Sequence, residues 1–185
     1  MATPVTHDGQ QWSNAAEDTI ELAEPDSSWP DQFVTESRAI KKALHPLNPR
    51  IEHFGSTAIP KLPAKPIIDI FIIIGDVSVW PHLVAPLSSL GYIHWAGNPR
   101  TDRMFFVKGM PPFGSRRSHH VHVTETRGEM WQRLAFRNYL RAHPEEAGIY
   151  EQLKRRLATE HPTDREAYTD AKSAYIESVM RKALK

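Results

Sequence analysis

Residues 67–74 read IIDIFIII, seven apolar side chains around a single carboxylate. Isoleucine is stiff at χ1 and suits extended backbone, and an unbroken apolar run marks a strand covered on both faces rather than one that alternates between core and solvent. Such a strand needs a sheet with layers on either side. Asp69 is the exception within it. A carboxylate in an apolar strand costs several kcal/mol of desolvation unless it is hydrogen-bonded, paired or metal-bound. The same residue that breaks the apolar pattern is therefore the first candidate for chemistry.

The neighbouring segments supply the rest of an α/β (α+β) domain. Trp29, Phe33, Ile40 and Leu44 recur near helical spacing over 28–44, with Ser27 or Ser28 as N-cap and Pro30 in the first turn. A short strand over 50–54 runs into Gly55-Ser56-Thr57 and a loop stiffened by Pro60, Pro63 and Pro66. Leu83, Leu87 and Leu90 mark a helix over 78–90 that Gly91 stops. Strands are expected from Tyr92 and over 104–108 and 119–124. Helices follow over 129–143, 145–160 and 164–184, separated by Pro144 and Pro162, with Thr163 and Glu166 placed as a capping box. The expectation is a mixed sheet flanked by helices with a helical C-terminal third, in one domain over 20–185 behind a polar tail over 1–19.

Composition limits the partners. With 23 basic and 22 acidic residues the net charge is +1, so no global field draws the chain to nucleic acid, and no aromatic-basic stripe suggests a large interface with it. The absence of Cys excludes disulfides, zinc–thiolate sites and a thiol nucleophile. No stretch approaches the roughly 20 apolar residues of a membrane helix, and the N-terminus lacks the pattern of a secretory signal. The cytoplasm is the expected location.

Several residues complete a candidate site. Gly55 permits close backbone approach, and Ser56 and Thr57 offer hydroxyls, a set that can cradle phosphate. His120 and His122 lie two apart on a strand and share a face, from which they can converge with Asp69 on a divalent ion or act as donors or as a general base; His119 faces away. The expected ion is Mg, Mn or Zn, with zinc or another borderline metal suiting such a set better than magnesium. Lys65 can place a cation on phosphate, and Arg137 and Arg141, one helical turn apart, can form an anion clamp. Tyr168 and Lys172 share a helical face at the same spacing. His53 and Glu52 point to opposite faces of the first strand, with a structural role as open as a functional one.

The run Glu52-His53-Phe54-Gly55-Ser56-Thr57-Ala58-Ile59-Pro60, then Leu62, Ala64-Lys65-Pro66 and Ile67-Ile68-Asp69-Ile70, resembles the GrpB family. The resemblance continues through His120-Val121-His122-Val123, 136–141, Pro144, Tyr150, Lys154, Tyr168, Lys172 and Ile176. It implies the nucleotidyltransferase superfamily fold. In that superfamily a Gly-Ser pair grips nucleotide phosphates, and two or three carboxylates hold divalent metal to neutralise a triphosphate for in-line displacement. Here Phe71 stands where the second metal-binding Asp would be, Lys61 where the GrpB pattern has Gly, and Asn138 where it has Asp. Two readings follow: transfer of a nucleotidyl group to an acceptor, or a nucleotide- or phosphometabolite-binding module that has lost transfer. A phosphoesterase with paired His-x-Thr motifs is a third, but only His122-Val123-Thr124 fits one.

Overall fold

The computed structural model describes residues 19–125 and 129–184. The expected N-terminal tail falls almost wholly outside the described residues. The chain forms two compact units, the first from 28–53 and 67–125, the second from 19–27, 54–66 and 129–184.

The first unit holds helix α1 (Trp29–Ala43) and a sheet of β1 (Arg50–Phe54), β2 (Ile68–Ile73), β3 (Tyr92–His94), β4 (Met104–Lys108) and β5 (His119–Thr124) in the order β1-β2-β5-β4-β3. β2 and β5 are parallel, whereas β5, β4 and β3 run antiparallel to their neighbours, so the sheet is mixed as expected. The apolar run becomes β2, second in the sheet order and hydrogen-bonded on both edges. Its alternate residues serve both faces: Ile68, Ile70 and Ile72 on one, Phe71 and Ile73 on the other, all at 5% exposure or less.

The stripe over 78–90 does not form one helix. Residues Val77–Leu83 make a 3₁₀ stretch and only α2 (Val84–Ser88) is α-helical. Pro81 and Pro86 explain this, because each removes a backbone donor and crowds the preceding turn. Leu83 and Leu87 are nevertheless fully buried, and Gly91 ends the segment at φ 83°.

One end of the sheet carries a buried polar group. Lys108 on β4 donates to both carboxylate oxygens of Glu36 on α1, at 2.8 and 2.9 Å, and its ammonium lies 5.3 Å from the centre of the Tyr92 ring. Burial, then the charge of Glu36, holds the Tyr92 phenol far above its ordinary range. Burial likewise lowers the imidazole of His119, which shares this face. His53 belongs to the core of this unit: its ring stacks on Phe33 of α1 with centroids 4.8 Å apart.

The second unit packs α3 (Glu129–Ala142), α4 (Pro144–Glu160), α5 (Arg165–Asp170) and α6 (Ser173–Ala183) with the proline loop. Ile59 and Leu62 from that loop join Phe136, Leu140, Tyr150 and Val179 in one apolar cluster. The single helix expected over 164–184 is divided at Ala171 and Lys172, with no Gly or Pro to mark the break. Its cap is Asp164, whose carboxylate accepts from the Ala167 amide at 2.9 Å, so the Thr163 capping box is not the device used. Lys61 has φ 61°, the left-handed region that glycine tolerates, which accounts for the Gly of the family pattern at this position.

Two stability changes are expected. Lys108→Met should lower the unfolding free energy by about 2 kcal/mol, the scale of a hydrogen bond to a charged group. A following Glu36→Gln should add little, and a double-mutant cycle in urea measures the coupling. Lys61→Gly should raise stability by roughly 0.5–1 kcal/mol, since the relief of left-handed strain exceeds the entropy glycine adds to the unfolded chain. An unchanged urea midpoint for Lys61→Gly would contradict this.

Candidate functional site

In the first unit, the parallel register sets Asp69 of β2 beside His120 of β5, and Phe71 beside His122. Registered residues share a face, and here the two polar side chains meet: Asp69 Oδ1 and His120 Nδ1 are 3.2 Å apart. The side chains are 26% and 11% exposed, so the pair lies mostly, though not wholly, out of water. Phe105 of β4 closes the other side, its ring centroid 5.1 Å from that of His120 and 4.7 Å from that of His122. Phe71 meets His122 edge-on at 5.9 Å, and Trp95 meets Phe105 at 5.7 Å. A carboxylate that holds one imidazole nitrogen fixes the ring's orientation and tautomer, the arrangement of a proton-accepting couple.

Among the described residues no three His, Cys, Asp or Glu side chains gather in a way that could hold a metal ion. Asp69 is engaged with His120, while His122, one strand repeat further on, packs among Phe71 and Phe105. The donors present do not fit a two-metal clamp, which needs a second carboxylate where Phe71 stands.

In the second unit, Gly55 takes φ 72° and turns the chain out of β1 into a short 3₁₀ stretch, Ser56–Ala58. Gly55 and Ser56 are partly exposed, whereas Thr57 is buried at 4% and serves the core. Arg141 Nε donates to the carbonyl of Ala58 at 2.7 Å and so braces this turn from α3. Arg137 points elsewhere: its Nε and a terminal nitrogen both reach Asn138 Oδ1, at 3.0 and 2.8 Å. The two arginines therefore engage different groups. Asn138 keeps the geometry of a carboxylate partner without its charge.

Lys65 lies with its ammonium 5.1 Å from the centre of the Tyr168 ring, and Lys172 stands 3.7 Å from the same centre. Burial pushes the Tyr168 phenol up to about 12. Lys172 is not on the same helix as Tyr168, since α5 ends before it, yet the turn still delivers its ammonium to the ring. Lys154, carried above only as part of the family resemblance, is 2% exposed on α4 and donates to the carbonyl of Pro63. Burial, followed by the charge of Lys172, lowers its pKa to about 7. The signal was present in the sequence as a lysine on a buried helical stripe, between Tyr150 and Leu157 at spacings of four and three.

The description "GrpB protein" matches residues 19–182. The chain belongs to the GrpB family. Among its relatives is the UPF0157 protein PA4798 of Pseudomonas aeruginosa, 49% identical over 181 residues that take in 98% of this chain and 74% of that one. The crystal structure of GrpB from Enterococcus faecalis is similar at a TM-score of 0.78 and 34% identity, over 89% of this chain and 97% of that one. A remoter structural neighbour is the Cid1 poly(U) polymerase, with a TM-score of 0.48 and 11% identity over 72% of this chain and 40% of that one. No helix among the described residues is long and apolar enough to cross a membrane.

The buried lysine leads to a pH dependence. An unfolded Lys154 keeps its proton to the ordinary lysine range, whereas the folded one sheds it near pH 7. Between those values the unfolded state binds more protons, so folding gains stability as pH rises. From pH 7 to pH 9 this contributes about 2 kcal/mol. Urea unfolding of Lys154→Met at both pH values should show a gain smaller by that amount, and an identical gain in variant and parent would refute the assignment.

Proposed function

We propose that the protein binds a nucleotide or a related phosphorylated metabolite, and that it does so without a two-metal clamp. The observation that carries this reading is the Asp69–His120 pair: the one carboxylate of β2 is committed to an imidazole, and Phe71 packs against His122 at the position a second carboxylate would need. The partly exposed Gly55-Ser56 turn supports phosphate binding, because its backbone admits close approach and Ser56 adds a hydroxyl. Lys65 supplies charge.

A second reading, transfer of a nucleotidyl or other phosphorylated group, is favoured by one specific feature. His120, held by Asp69 through Nδ1, is the base of this reading, accepting a proton from an attacking hydroxyl at Nε2, an atom that is buried in the structure and becomes reachable only if the site opens to substrate. In that role His120 is the base and Asp69 its orienting partner. A divalent ion, if required, would take Asp69 as its protein carboxylate and complete its shell with oxygens of the ligand and water.

A thermal-shift panel of nucleoside triphosphates and coenzyme A precursors, each with and without magnesium, manganese or zinc, tests both readings. At least one phosphorylated ligand should raise the melting temperature, and Ser56→Ala should weaken that ligand about tenfold. Asp69→Asn should leave binding within about threefold under the binding reading. Under the transfer reading it should abolish turnover, with Asp69→Glu restoring part of it. Absence of any shift across the panel would remove both readings.

A further inference from the structure

In the second unit the Gly55-Ser56 turn continues into a loop whose Pro60, Pro63 and Pro66 have no N–H to offer to its carbonyls. The helices supply donors instead. Arg141 Nε on α3 donates to the Ala58 carbonyl at 2.7 Å, and Lys154 on α4 donates to the Pro63 carbonyl. A backbone bridge follows at once, in which Ala64 and Ala23 exchange hydrogen bonds of 2.9 and 3.0 Å. Between these holds, Ile59 and Leu62 sit in the apolar cluster built from α3, α4 and α6. From Thr57 to Ala64 only Pro60 and Lys61 are exposed, whereas Gly55 and Ser56, immediately before, are partly open to solvent.

A charge is used for each of two holds where an apolar side chain would pack more cheaply. Lys154 is 2% exposed, and burial, then Lys172, disfavours its ammonium, with Arg155 adding to that effect and Glu151 opposing it. A methionine would fill the same stripe of α4 without the desolvation. What the lysine alone supplies is a charged donor for a carbonyl in a proline-rich loop, and such bonds are stronger than neutral ones. Arg141 lies on an exposed position of α3, yet its Nε is committed to the main chain of the turn. A planar guanidinium bonded in this way fixes direction as well as distance. The ordering of a mobile loop is subtracted from the affinity of whatever binds it, so a turn held in advance binds more tightly.

Resting on the phosphate-binding reading above, we infer that Arg141 and Lys154 are positioning residues of the phosphate turn, acting on affinity through the Ala58 and Pro63 carbonyls rather than by touching the ligand. Ser56 is the group that meets phosphate. The two cations set how much of the time it stands in place.

Hydrogen–deuterium exchange over 54–66 and calorimetric titration with ATP, both on the full chain, separate this from a purely structural role. Arg141→Met and Lys154→Met should each speed exchange in that segment and weaken ATP by at least about fivefold. Arg156→Gln, at an exposed residue of α4 paired with Glu160, removes the same charge and should leave both readouts within about twofold. In a Ser56→Ala background, Arg141→Met should weaken ATP by less than about twofold, because the group it positions is gone. The full loss in that background would put Arg141 on the ligand itself and overturn the inference, and an equal loss in Arg156→Gln would reduce the effect to net charge. Unchanged exchange or unchanged affinity in either variant would overturn it while leaving the phosphate reading intact. If Lys154→Met does not unfold cooperatively, Arg141→Met carries the comparison alone. Failure of the parent to bind ATP would remove the inference together with its nucleotide reading.

Discussion

A single carboxylate inside the most apolar strand governs the chemistry available to the first unit. Asp69 keeps 26% of its side chain exposed, and a carboxylate that has lost most of its hydration is stabilised by a hydrogen-bonding partner. The parallel register of β2 and β5 resolves the problem by placing His120 opposite it. Everything else on that face is arranged around the pair. Phe71, Phe105 and His122 supply aromatic surface, which keeps water from much of the couple and makes its electrostatics stronger than they would be in solvent.

The second unit handles charge in the opposite sense. Lys65 and Lys172 stand at the Tyr168 ring, and the buried Lys154 donates to the Pro63 carbonyl, with the charge of Glu151 favouring its ammonium. The arginines on α3 illustrate the contrast. Arg141 is engaged with the Ala58 carbonyl and the buried Arg137 with Asn138. Arginine's planar fork suits such fixed geometry.

Membership of the GrpB family explains why short motifs in this chain carried so much information. The Gly-Ser turn and the His-x-His strand are weak signals by themselves, yet each appears where the family pattern has it. The departures are equally instructive. Lys61 occupies a left-handed backbone position where the pattern has glycine, so its side chain is carried at a cost in strain. Phe71 is a packing group on the strand face of Asp69, 1% exposed and edge-on to His122.

Much of the framework was legible from local sequence, because strand and helix periodicity, prolines and glycines act over a few residues. β1, β2, β4 and β5, the span of α1 and the mixed sheet flanked by helices all follow from such signals. The sequence also showed that Asp69 must have a partner and that His120 and His122 share a face. It did not show which histidine the partner would be, since strand register is decided by packing of both faces at once. Two prolines outweighed a leucine stripe over 78–90, and Lys172 left the helix of Tyr168 at a break that no residue announces. The Lys154–Pro63 contact and the approach of Lys65 to the Tyr168 ring join segments far apart in sequence. Local sequence determined that these charges exist, and only tertiary structure decided which of them meet, because burial and proximity are properties of the folded chain alone.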